Sequence, residues 1–139
     1  MGKRSTARKL AMQALYQYHI QKEEEDAILE YTLNKDTYIE QTKAFAAQIF
    51  RGIFKDLKKI DGLITEYAID WKLERIAVID RSILQVGIWE ILYTDTSVKV
   101  IISESIDLVR KYSEFEAIKF INGVLGGIAK NRESLKSKS

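Results

Sequence analysis

Few residues in this 139-residue chain could do chemistry, and their spacing excludes most of what they could do. His19 is the only histidine and cysteine is absent, so thiol catalysis, disulfides and zinc–thiolate sites are ruled out. No serine lies in a nucleophile-elbow sequence, which leaves His19 as an ordinary residue near a helix end. The acids Glu23, Glu24, Glu25 and Asp26 are consecutive, without the alternating spacing and central glycine of a calcium loop. The stretch GVLGG at 123–127 neither follows a strand nor ends in Gly-Lys-Ser/Thr, so it is no phosphate loop. No metal, no cofactor and no catalytic constellation is expected. What remains is binding.

Charge supplies the first binding signal. A net charge of +2 hides a lopsided distribution. Residues 1–10 carry Lys3, Arg4, Arg8 and Lys9 without an acid, whereas residues 21–40 carry seven acids against Lys22 and Lys35. Residues 130–139 again carry four bases and one acid. Bases at a helix start oppose the macrodipole, which an anionic ligand would justify. The second signal is KFINGVLGGIAK, where Gly123, Gly126 and Gly127 each cost ~1 kcal/mol if the segment is helical. On a helical wheel Ala117, Ile118, Ile121, Val124, Leu125 and Ile128 make a buried stripe. Lys119, Gly123, Gly126 and Lys130 gather opposite it with Phe120 at the border. The bland alternative ends the helix at Gly126–Gly127.

These residues need elements to position them. Proline is absent and there are only seven glycines, so strand-rich folds with frequent turns are disfavoured. The first helix is expected over about Ser5–His19, with Ala7, Leu10, Ala11, Ala14, Leu15 and Tyr18 on one stripe. Tyr16 then faces outward, with Met12 and Lys9 on its side. The acidic stretch 21–36 reads as a connector with a short helical piece at most. A capping box from Thr37 to Glu40 opens a helix through Phe45, Ile49 and Ile53. A bend is expected near Asp61–Gly62. RIAVIDRSILQVGIWEILY is apolar nearly all round and reads as a central buried helix. Ser97 caps the next helix, and a second capping box, Ser113 to Glu116, opens the last. The fold class is all-α: one domain of about six or seven helices over residues 1–131, with residues 132–139 a polar, disordered tail. No apolar run resembles a signal peptide or a membrane span, which points to the cytoplasm.

RSTARKLAMQALYQY resembles the arginine-rich opening, then A-x-Q-x-L-Y, of the bacterial NusB family of transcription antitermination proteins. The central segment IDGLITEYAIDWKLERIAVIDRSILQVGIWEIL is similar to that family's W-x-L-x-R and D-R-x-I-L-x-x-G, and KFINGVLGGIAK to its K-F-V-N-G-V-L-D. Ser97 replaces a usual proline, Ser113 a glycine and Gly126 an acid, while Ser5 and Thr6 thin the arginine cluster.

The resemblance implies two packed helical sub-bundles, no enzymatic activity, and binding to the boxA element of nascent ribosomal RNA. Binding occurs together with the ribosomal protein NusE, within a complex that helps RNA polymerase pass terminators. Carried over, the RNA side matches Lys3, Arg4, Arg8, Lys119, Phe120 and Gly123, and the NusE side Tyr16, Glu74 and Asp80. Two other functions compete. One is an RNA-binding module of the kind fused to RNA methyltransferases, against which the chain length speaks. The other is a helical adaptor without RNA.

Overall fold

The computed structural model describes residues 2–69 and 71–137. Among them are eight α-helices and one 3-10 turn. In order they are α1 (Lys3–Gln21), α2 (Glu25–Asn34), α3 (Glu40–Lys55), α4 (Leu57–Tyr67), the 3-10 turn (Leu73–Arg75), α5 (Val78–Tyr93), α6 (Val98–Tyr112), α7 (Ala117–Lys130) and α8 (Arg132–Ser137). Eight is one more than the upper expected number; α2 was read as a connector with a short helical piece at most, and α8 as tail.

Helix α5 is the axis of the fold. Twelve of its residues are buried, from Asp80 through Leu92, as its apolar sequence requires. Helices α1 and α3 pack onto α5, with α2 against α1 and α3; α4, α6 and α7 also pack onto α5, and α7 meets both α4 and α6. Small residues set the closest approaches. A methyl at Gly52 would collide with the Trp89 indole, and one at Gly87 would lie 3.1 Å from Leu125 and Ser105.

Several boundaries depart from expectation for local reasons. The acidic stretch folds as the full helix α2. The Glu24 carboxylate accepts from the Asp26 and Ala27 N–H groups at 3.0 and 3.2 Å, and Ile28, Leu29 and Thr32 turn inward. The Thr37 box does not form, because α3 begins only at Glu40 with Ile39 as an N-cap lacking a side-chain bond. The break between α3 and α4 falls at Asp56, and α4 runs straight through Asp61 and Gly62. Ser97 does cap α6, accepting from the Val100 N–H at 3.2 Å.

The second expected box fails too, since the Ser113 hydroxyl donates to Asp80 at 2.5 Å and α7 starts without a side-chain cap. Residues 132–137, placed in the tail, are helical. Arg132 donates to the Ile91 and Thr94 carbonyls at 2.9 and 2.7 Å, and Lys136 to Thr94 at 2.7 Å. These cations satisfy carbonyls left open at the end of α5.

Candidate nucleic-acid and partner surfaces

Helix α1 starts without an acid in its first turn and without a side-chain cap on Gly2. Lys3 and Arg4 are exposed there and lean on α3. The Lys3 ammonium donates to Gln41 at 2.8 Å, and the Arg4 guanidinium sits 4.5 Å from the centre of the Phe45 ring. With Ala44 and Gln48 they line an open recess of about 440 Å³. Neither cation forms an ion pair among the described residues, so both are available to a polyanion.

Arg8 is not part of that surface. It is only 4% exposed. Its Nε and Nη2 donate to the two Glu90 oxygens at 2.7 and 2.9 Å, and its Nη1 to Glu104 at 3.1 Å. Ser5 donates to the same Glu104 carboxylate. One turn on from Arg4, the helix has rotated about 40°, which carries position 8 toward α5 and α6. Burial alone would lower the Arg8 pKa, but the hydrogen bonds and charges of Glu90 and Glu104 outweigh it and raise the value. The expected phosphate contact is a structural ion pair.

Helix α7 runs unbroken through its three glycines, which removes the early-stop alternative. They serve different ends. A methyl on Gly127 would lie 3.0 Å from Tyr67, so this glycine lets α4 approach. Gly123 and Gly126 have nothing within 4 Å of the position a Cβ would take. Beside Gly123, Lys119 is exposed, and Phe120 is half-buried against the core with its ring near Trp71. The two expected RNA segments are therefore separate in packing. The main neighbours of α1 are α2, α3 and α5, whereas those of α7 are α4, α5 and α6.

Tyr16 is 37% exposed, as expected, and edges a cleft of about 580 Å³. Tyr31 of α2, Lys35 just beyond it, Ala77 and Val78 at the start of α5, and Tyr112 at the end of α6 also line it. Met12, expected outside with Tyr16, is fully buried and closes the cleft from within. Glu74 is exposed in the 3-10 turn just ahead of Ala77. Asp80 is 9% exposed, with its carboxylate engaged by Ser113. Burial raises its pKa and the nearby Glu114 charge adds to this, against the lowering effect of the Ser113 bond. Asp80 thus ties the start of α5 to the α6–α7 junction. Tyr31 and Tyr112 were missed, Tyr31 because its helix was read as a connector.

His19, half-buried, is hydrogen-bonded through Nε2 to Gln85 at 2.9 Å, and Gln85 donates to Asp61 at 2.9 Å. Desolvation lowers the His19 pKa, helped by the Arg81 charge and opposed by the Gln85 bond. Among the described residues no group of His, Asp or Glu is placed to hold a metal, and no helix is long and apolar enough to cross a membrane.

A small all-α domain with an open cationic helix start, a glycine-smoothed lysine-flanked face and a tyrosine-edged cleft belongs to the class of helical binding modules. The NusB family model matches residues 5–130. A transcription antitermination protein NusB from Ruminiclostridium cellulolyticum is 35% identical over 131 residues, covering 94% of this chain and 90% of the relative. The one from Bacillus subtilis is 35% identical over 132 residues, covering 94% and 98%. This chain belongs to the NusB family. The structure of T. maritima NusB superposes with a TM-score of 0.88 at 33% identity, covering 100% of this chain and 99% of that one. A complex of NusB and NusE with double-stranded RNA shares the fold, with a TM-score of 0.86 at 24% identity over 94% of this chain and 98% of that one.

Proposed function

We propose that this protein is a transcription antitermination factor that binds a boxA-like single strand of nascent ribosomal RNA together with NusE, so that RNA polymerase passes terminators. It works by binding in the cytoplasm and is not an enzyme. The observation that carries the reading is family membership along nearly the whole chain, with exposed cations in both RNA segments that form no ion pair among the described residues. Lys3 and Arg4 supply phosphate contacts from the start of α1, and Lys119 supplies another from α7. Phe120 offers a ring edge for base stacking, and the bare backbone at Gly123 lets a ribose or base come close. Arg8 holds α1 in place for this purpose. NusE takes the other surface, the cleft of Tyr16, Tyr31 and Tyr112 with Glu74 at its margin, where aromatic residues fit a protein interface.

The test is a titration of boxA-like and scrambled single-stranded RNA, with and without NusE, at several salt concentrations. Each lost phosphate contact should flatten the log–log salt slope by ~0.7, so Lys3→Ala and Arg4→Ala should each flatten it. Equal affinity for boxA-like and scrambled RNA in the presence of NusE would refute the boxA assignment, and unchanged slopes would refute the α1 contacts.

A further inference from the structure

Trp71 has no role in the interfaces described above. It lies between α4 and the 3-10 turn and is 51% exposed, whereas the other tryptophan, Trp89, is buried in the core. Its ring meets that of Phe120, with centroids 5.8 Å apart and planes inclined at 56°. Phe120 packs on the core from behind, so it is a fixed ring and fixes Trp71 in turn. Next to the two rings in sequence, Lys72 and Lys119 are exposed and form no ion pair among the described residues. One turn along α7 from Phe120, Gly123 offers open backbone.

We propose that Trp71 is a second stacking ring, which with Phe120 receives the bases of a single-stranded RNA whose phosphates pass Lys72 and Lys119. The inference rests on the RNA-binding reading and adds a residue and a path to it. Aromatic faces set among cations, beside a stretch of bare backbone, suit a strand of stacked bases and charged phosphates. A protein-docking patch has a core depleted of charge, which this surface lacks. Half of the Trp71 surface is open to solvent, which leaves room for a base against its ring.

Tryptophan fluorescence tests this directly, because Trp89 is shielded and serves as an internal reference. A mixed-sequence single-stranded RNA 12-mer is titrated into the full chain, into Trp71→Ala and into Trp71→Phe, with thermal melts alongside. RNA should quench the emission of Trp71 in the parent. Trp71→Ala should weaken binding by about 5- to 150-fold, the equivalent of one base–aromatic stack. Trp71→Phe should restore most of the affinity and abolish the quenching. RNA that binds without quenching, with Trp71→Ala equal to the parent per folded molecule, overturns the proposal and leaves the RNA reading standing. No RNA binding by the parent with or without NusE overturns both. Quenching by NusE alone, with RNA having no effect, overturns it in favour of a protein contact.

Discussion

Replacing Arg8 by methionine keeps much of the side-chain volume and deletes the guanidinium. The side chain of Glu90 is 1% exposed, so the substitution leaves a carboxylate inside the fold with its bidentate partner gone. Breaking a buried pair in this way costs about 3–5 kcal/mol. Against a total stability on the order of 5–15 kcal/mol this is a large share. The thermal midpoint should fall by roughly 10–15 °C.

The double variant Arg8→Met with Glu90→Leu removes both charges, and exchanging a buried ion pair for apolar groups is often neutral or better. It should recover most of the loss. Glu104 tolerates the change because its side chain is 24% exposed to water and it still accepts from Ser5. Urea unfolding followed by circular dichroism measures the stabilities, and RNA affinity is taken per folded molecule. The double variant should bind RNA as the parent does. If Arg8→Met leaves stability unmoved while RNA affinity drops, Arg8 is a phosphate contact and the burial argument is wrong.

Gly123→Ala should stabilise α7 by about 0.5–1 kcal/mol, since a methyl meets nothing there, while Gly123→Leu should fold normally and weaken RNA binding. Unfolding of the leucine variant would show that Gly123 serves packing instead. Tyr16→Ala should weaken the NusE complex in a pull-down or calorimetric titration with the thermal midpoint nearly unmoved, and normal NusE binding would remove Tyr16 from the interface. His19 has a folded pKa below its unfolded value of ~6.5, so below that pH the unfolded chain takes up a proton that the folded chain resists. Stability should therefore decline as pH falls from 7.5 to 5.5, and more steeply than in His19→Gln; equal slopes would show that the burial of His19 has no energetic effect.

Helices were legible in the sequence where the apolar pattern matched how widely they are covered. The stripe of α7 and the all-round apolarity of α5 both read through to the structure. The reading failed on α1, which is covered more widely than its apolar stripe indicates. A helical wheel places Met12 and Arg8 off the main stripe of α1, but α2, α3 and α5 together enclose more of that helix than a stripe suggests. It failed again where a distant residue claims a local group. Ser113 looks like a cap for α7, but a carboxylate 33 positions earlier takes its hydroxyl. The exposed members of the candidate sites, Tyr16, Lys119 and Gly123, were readable because no neighbouring helix covers the outward positions that helix geometry gives them.

Ser5, Arg8, Glu90 and Glu104 form a clamp that reaches from the second turn of α1 to α5 and α6. The first turn of an uncapped helix ordinarily frays, and a fraying segment must be ordered at the moment a ligand arrives. Here that ordering happens during folding, because the clamp fixes the backbone from which Lys3 and Arg4 project. The entropy saved, ~0.5–1.5 kcal/mol for each side chain that needs no further immobilisation, goes into affinity. Contacts that lie behind the binding surface can thus add to affinity by making the cations a rigid template and not a flexible arm, and apolar packing of the same shape would do so equally.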